Sequence, residues 1–415
     1  MTKRSLKSIT PDGITGMIFA VEGMKNAIVL LNGPMGCRFY HSTTSRFLSI
    51  RPMLLLPTED GERVPVDYNY LNDFFFRQDR VPCTYLDGYD YVYSTRDKVS
   101  RALDFIRDNV AFDFLAVVNS PGAALIGDNL LELAREKLGE SRVVMLESPG
   151  YSTSLEEGYS EAALALLRQT GPALWKDLPP VSDGKKRVNL LGLSIWHRYF
   201  EGDLLELRRL FALCGIEVNA AMCADCSLAE LRRMPLADLN VVICPEMGTA
   251  AAEYLAEERG MPFYLCDALP IGFSAVEKLF ADVCALLGVS DEALRAESEK
   301  ARALAWYRIN QTHQAYGRPR GVKFFVDGSP SQVKGFSEFL THYLGMESAP
   351  PEQAELVFAD ANVIAELKLR NQVFCGIEIS LPGMGYVDMI PKTHLGVQGA
   401  LFLIEQVLNG LMSKL

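Results

Sequence analysis

A chain of 415 residues with 49% hydrophobic content is long enough for two or three domains with well-buried cores. Its net charge of −11, with no basic run and no Arg/Lys-rich helix, argues against nucleic acid or an anionic membrane as partner. No apolar segment reaches the ~18–20 residues of a membrane span, and Met1-Thr2-Lys3-Arg4-Ser5 leads into no signal-like apolar core, so a cytoplasmic location is expected.

In chain order, residues 27–31 form an apolar run suited to a buried parallel strand. The turn Asn32-Gly33-Pro34-Met35-Gly36-Cys37 follows, and a helix is expected to open at residues 38–41. Residues 90–93, 112–118 and 143–146 read as further strands, with helices at 100–109, 129–138 and 156–169. The Pro/Gly/Lys stretch 178–186 reads as a linker. A second series follows: a strand at 188–193, a helix at 203–214, a strand at 239–243, a helix at 250–259 and a short strand near 261–264. Residues 274–316 read as mostly helical and charged. A third begins at 321–326, with strands near 356–358 and 373–377 and a last helix at 396–410. This alternation predicts an α/β fold of doubly wound parallel sheets, divided at 1–182, 183–316 and 317–415, with ligands beyond the carboxyl ends of the strands.

Nine cysteines without a secretion signal imply a reducing compartment and thiols used for packing, metal binding or redox chemistry. Cys37 stands out. Two glycines around a proline leave little side-chain bulk beside its thiol, and the amides of a following helix favour a thiolate and an anionic cluster. The residues alone equally allow a buried structural cysteine in a tight turn. Cys214, Cys266, Cys284 and Cys375 lie among apolar neighbours and read as core thiols. Cys223-Ala224-Asp225-Cys226 has metal-like spacing but no second pair nearby, so solvent-facing loop thiols are expected.

Gly33-Pro34-Met35-Gly36-Cys37 resembles the Gly-Pro-x-Gly-Cys motif of the nitrogenase component 1 family. Leu125-Ile126-Gly127-Asp128-Asn129, Ser148-Pro149-Gly150-Tyr151 with Glu157-Gly158-Tyr159, Leu269-Pro270-Ile271-Gly272 and Val326-Asp327-Gly328-Ser329-Pro330 resemble further family segments, in the family's order. The resemblance implies three Rossmann-like domains around a central cleft, with the last helix returning to the first domain. It also implies an oxidoreductase subunit that takes low-potential electrons from an ATP-dependent iron-protein-like partner and reduces a substrate in the cleft. Cys37 would be an iron–sulfur ligand at a subunit interface.

Cys83, in Arg80-Val81-Pro82-Cys83-Thr84, lies in a loop of the same domain and is the second candidate metal ligand. Component 1 subunits typically bring three cysteines to the interface. Here none precedes Cys37, and Asn119-Ser120-Pro121-Gly122 stands near another family position. Two thiols per chain match one [4Fe–4S] cluster shared by a homodimer, or by a heterodimer with a second component 1-like chain. Ser120 or Asp87 is the substitute ligand if the partner differs.

Cys244 resembles the cofactor-ligating cysteine of the catalytic nitrogenase subunit and is a candidate cofactor ligand. Leu269-Pro270-Ile271-Gly272, however, is more like the non-catalytic subunit and the related tetrapyrrole reductases, which favours a structural role for Cys244. His394 is its only late histidine partner, and His41 is a candidate neighbour of the cluster. The cleft is left to a further metallocofactor or a tetrapyrrole substrate. The chain contains neither Gly-x-x-x-x-Gly-Lys-Ser/Thr nor a Gly-x-Gly-x-x-Gly after the first strand, so ATP hydrolysis is assigned to the partner. A cofactor-assembly scaffold and a non-redox small-molecule binding protein are the alternative readings.

Overall fold

The computed structural model describes residues 12–34, 53–57, 63–67, 81–147, 153–176, 178, 183–383 and 388–413. The first unit opens with a helix, α1 (Gly13–Glu22), capped by Asp12, whose carboxylate accepts the Thr15 N–H at 3.0 Å. Strand β1 (Ala27–Asn32) follows, then a hairpin of β2 (Met53–Pro57) and β3 (Arg63–Asp67), and two helices, α2 (Gly88–Tyr93) and α3 (Arg96–Asn109). Next come β4 (Val110–Ala111), β5 (Phe114–Asn119), α4 (Pro121–Ala124), α5 (Leu130–Leu138), β6 (Val143–Glu147) and the long α6 (Leu155–Leu174). Strands β1, β5 and β6 form a parallel sheet in the order β1-β5-β6, and the antiparallel sheet β3-β2-β4 stands beside it.

Both faces of the parallel sheet are covered, as parallel sheets require. Val29, Leu31, Ala116, Val118 and Val144 face the core shared with α1 and α6. The alternate residues Ile28, Leu30, Leu115, Val117 and Met145 pack against α3 and α5. Helices α1 and α6 cross with glycine at the contact. A Cβ built on Gly16 would lie 1.9 Å from the Leu155 carbonyl oxygen, and one on Gly158 would lie 2.0 Å from that of Gly13.

The second unit comprises β7 (Lys186–Leu191), α7 (Phe200–Leu213), β8 (Ile216–Ala221), α8 (Leu228–Arg233), β9 (Leu239–Val242), α9 (Pro245–Arg259), β10 (Phe263–Leu265), α10 (Gly272–Leu287) and α11 (Glu292–Tyr316). Its parallel sheet has the order β10-β9-β7-β8. The third comprises β11 (Lys323–Val326), α12 (Pro330–Glu338), β12 (Glu347–Ser348), β13 (Leu356–Ala359), α13 (Ala361–Leu369), β14 (Cys375–Glu378) and α14 (Gly396–Met412). Its parallel sheet has the order β12-β11-β13-β14. The three parallel sheets make the α/β architecture expected.

Three expectations need correction. Residues 90–93 are not a strand but lie in α2, because Asp87 and Asp90 form a reciprocal capping box that outweighs the aromatic and β-branched content. Cys223 and Cys226 do not face solvent. Both are fully buried, in a turn that packs on Gly23, where Cys226 N–H donates to the Gly23 carbonyl at 3.2 Å. Finally, among the described residues α14 packs chiefly on α7, α10 and α11 and on β13 and β14, rather than returning to the first unit.

The docking of α14 is organised by acids on α7. Asp203 accepts from Thr393 Oγ1 at 2.7 Å, His394 N–H at 2.8 Å and Leu395 N–H at 3.1 Å, and Glu206 accepts the Gln398 N–H at 3.0 Å. Burial, against these hydrogen bonds, raises the Asp203 pKa from the ordinary 3.8 to about 6. The folded state therefore takes up this proton first. Asp203's contribution to stability is fullest below 3.8 and is lost as the pH climbs through about 6. Relative to Asp203→Asn, the wild type should gain about 1 kcal/mol on moving from pH 7 to pH 5. Urea midpoints of both proteins at the two pH values measure this, and an identical difference at both would contradict it.

Candidate functional site

The first site lies at the carboxyl end of the first sheet, where β1, β5 and β6 finish in register at Asn32, Asn119 and Glu147. Asn32 Nδ2 donates to Asn119 Oδ1 at 2.9 Å and to Thr95 Oγ1 at 3.1 Å. Asn119 Nδ2 donates in turn to the Glu147 carboxylate at 2.9 and 3.0 Å. This ladder fixes the strand ends from which the Gly33 turn departs.

Residues 81–87 run alongside that turn. Leu31 N–H donates to the Pro82 carbonyl at 2.8 Å, Thr84 N–H to Leu31 at 3.0 Å, and Leu86 N–H to Gly33 at 3.1 Å. Cys83 is thereby held with its thiol against Gly33, donating to the Gly33 carbonyl at 3.0 Å, while its sulfur accepts the Tyr85 N–H at 3.4 Å. Gly33 is needed here, because a Cβ on it would meet Ser120 Cβ and Oγ at 2.9 Å. Ser120 is buried and its hydroxyl caps α4, whereas the Asp87 carboxylate is taken up by capping α2 and by Lys98. Of the two substitute ligands, Ser120 stands at the turn and Asp87 is engaged elsewhere. Cys37 and His41 lie outside the described residues.

The second site lies between the second and third units. Cys244 stands at the N-terminal boundary of α9 and is fully buried, its sulfur 3.2 Å from Ser331 Oγ at the start of α12. Burial first, and the neighbouring Glu246 charge second, push the thiol's pKa well above its ordinary value. Glu246 spans the two units by accepting Ser331 N–H at 3.0 Å and its hydroxyl at 2.8 Å. Burial opposes its ionisation, but hydrogen bonds from Ser329 and Ser331 outweigh burial and hold its pKa below the ordinary value.

The loops after β7 and β14 are zipped together. Arg198 N–H donates to the Ile379 carbonyl at 3.1 Å, and Leu381 N–H donates to Trp196 at 2.9 Å. A cavity of about 240 Å³ opens beside them, lined by Ile195, His197, Arg198, Tyr199, Leu381 and Asp388 among others. Arg198 pairs with Glu378 at 3.0 Å and Asp388 at 2.5 Å, and Lys392 pairs with Asp388 at 2.9 Å.

His394 sits among Tyr199, Phe336 and Phe402 with Nε2 2.9 Å from Gln406 Oε1, whereas the Cys244 sulfur meets Ser331. A larger cavity, about 500 Å³, lies at the amino end of the first sheet. Its cations Arg107 and Lys137 are paired with Asp104, and Arg142 donates to the Phe112 and Asp113 carbonyls.

Sequence reasoning missed Glu246 and His197. Glu246 follows Cys244-Pro245 at a helix start, a recognisable place for an acid, but its Ser331 partner is 85 residues away. Nothing in the local pattern marks His197.

Three parallel-sheet units, with polar chemistry gathered at the carboxyl ends of their strands, define a Rossmann-like multi-domain protein. A solved nitrogenase Cp1 structure at pH 6.5 has the same fold, with a TM-score of 0.73 over 100% of this chain and 95% of that one, at 16% sequence identity. The family model for nitrogenase component 1 type oxidoreductases matches residues 13–349, and the chain belongs to that family. The B component of the light-independent protochlorophyllide reductase of Synechococcus sp. (strain WH7803) is 31% identical over 342 residues, covering 78% of this chain and 61% of that protein. Its counterpart in Bradyrhizobium sp. (strain BTAi1 / ATCC BAA-1182) is 28% identical over 278 residues, covering 65% and 52%. The chain thus spans about three fifths or less of the length of these curated relatives.

Proposed function

We propose that this chain is a component 1 subunit of a nitrogenase-like oxidoreductase of the cytoplasm. It works as a homodimer or with a paralogous second chain, and receives low-potential electrons from an ATP-dependent iron-protein-like partner. The observation that carries this reading is Cys83, set against the Gly33 turn that leads to Cys37. A thiol whose sulfur accepts a backbone N–H at a strand mouth suits an iron–sulfur ligand, because such hydrogen bonds stabilise the thiolate form. Cys37 and Cys83 from each of two chains would provide the four thiolates of a [4Fe–4S] group. When bound, that group supplies one-electron transfer at low potential.

The substrate is assigned to the cleft between the second and third units. There the paired charges of Arg198, Glu378, Asp388 and Lys392 hold the two loops together, and Glu246 bridges α9 to α12. Cys244 touches Ser331 as placed, so a ligand role for it requires α12 to shift. The relatives' substrate makes protochlorophyllide, a tetrapyrrole, the first to try.

The test mixes anaerobically purified chain with an iron-protein candidate and a paralogous chain, and follows ATP hydrolysis and protochlorophyllide reduction. Reduction that requires both the partner and ATP is expected, with no hydrolysis by this chain alone. Reduction running equally well on NADH without the partner would defeat the reading.

A further inference from the structure

The helix α11 outruns the core beneath it. Its buried residues, Leu294, Ser298, Ala301 and Ala305, mark one side of the helix and stop there. None of the described residues from Trp306 to Tyr316 is buried. The aromatics of that stretch stand open to solvent, Trp306 at 66% and Tyr307 at 51%. A helix without a packed face is marginal in water, and large apolar side chains gathered in the open mark a contact surface. The spacing of the buried residues puts Glu292, Ala296, Glu299, Ala303, Trp306 and Asn310 on the opposite side, flanked by Lys300 and Tyr307. All of these but the half-buried Asn310 are exposed.

Charge divides this helix. Glu292, Glu297 and Glu299 stand at its start with Arg295, whereas Lys300, Arg302 and Arg308 follow with no acid before Asp327. Acids first and cations last also favour the helix itself, but that does not account for aromatics held out of the core. An element whose start complements its end matches a second copy of itself laid antiparallel, because a twofold axis brings each end against the other. Centred on Ala303, whose methyl group permits a close approach, this pairing sets Trp306 beside Glu299 of the second copy, indole N–H toward carboxylate. It sets Tyr307 beside Lys300, whose stem and ammonium suit an aromatic ring. Tyr307 is held in place by its own helix, since Gln311 Nε2 donates to its hydroxyl at 2.9 Å.

We propose that a second copy of this chain docks on the outer side of α11, antiparallel and centred on Ala303, through an interface separate from the Cys83 site of the first unit. The first experiment treats the anaerobic full chain carrying Ala303→Cys with a short bis-maleimide, the wild type giving the background from native thiols. A covalent dimer is expected from Ala303→Cys, which lies on the axis. None is expected from Gln314→Cys, whose two copies lie about 33 Å apart along the pair. Both results should persist in a Cys83→Ala background, so failure of the cluster reading and failure of this contact are told apart. No dimer from Ala303→Cys, or equal linking at both positions, overturns the proposal.

The second experiment follows the mass of the full chain by analytical ultracentrifugation. Trp306→Glu, which sets a carboxylate against Glu299 of the other copy, should lower the mass about two-fold. Adding Glu299→Lys to that variant turns the repulsion into attraction and should restore the wild-type mass. An unchanged mass in Trp306→Glu overturns the proposal, as does a double variant that stays at the lower mass.

Discussion

Cys83→Ala should empty the protein of iron, from about four atoms per dimer to below about one, and cut partner-dependent reduction at least about 100-fold. The fold should survive. Cys83 makes its hydrogen bonds to Gly33 and Tyr85 within a segment that the backbone bonds from Leu31, Thr84 and Leu86 hold independently. Iron analysis and the spectrum of the reduced cluster measure the loss of the cluster, the partner-dependent assay measures the loss of turnover, and the thermal melt checks the fold. A variant that keeps its full iron would remove Cys83 from the site and leave its thiol as packing.

Gly158→Ala is expected to cost about 3 kcal/mol, with correspondingly earlier denaturant unfolding. The added methyl would meet the Gly13 carbonyl oxygen at 2.0 Å and the Gly13 Cα at 2.5 Å, and backbone atoms cannot rotate aside as a side chain can. Gly16 makes the reciprocal contact with Leu155, so the two helices would have to separate along the crossing. Gly88→Ala is the matched control. A Cβ there meets nothing within 4 Å, and its effect should stay within about 0.5 kcal/mol. A Gly158→Ala midpoint indistinguishable from that control would show that α1 and α6 part at little cost.

The parallel strands were legible because each is a short apolar run bounded by turn residues. The run at 27–31 and that at 114–118 appear as β1 and β5. Residues 90–93 misled because Tyr91, Val92 and Tyr93 read as strand-formers, while the capping signal lay in Asp87 and Asp90, on either side of a glycine. α1 passed unread for a related reason: its ten residues are buried all round, so no polar stripe exposes the helical period. The burial of Cys223 and Cys226 depends on Gly23, some 200 residues earlier. At the sites, the family motif marked the Gly33 turn, but the placement of Cys83 against it and of Glu246 against Ser331 arises only from long-range closure. Local pattern cannot report such contacts.

The glycine crossing of α1 on α6 also orders events in time. α1 is the first described helix to leave the ribosome, yet the helix it must lie against is made roughly 140 residues later, a wait of about 7–28 s at 5–20 residues per second. Through that interval Ile14, Met17, Ile18 and Val21, all destined for the core, can pack on β1 and later on β5 but lack the α6 face that completes their cover. The nascent first unit is therefore a natural client for chaperones. Synonymous codons that slow translation between residues 22 and 155 should lengthen that exposure, without altering one atom of the finished protein.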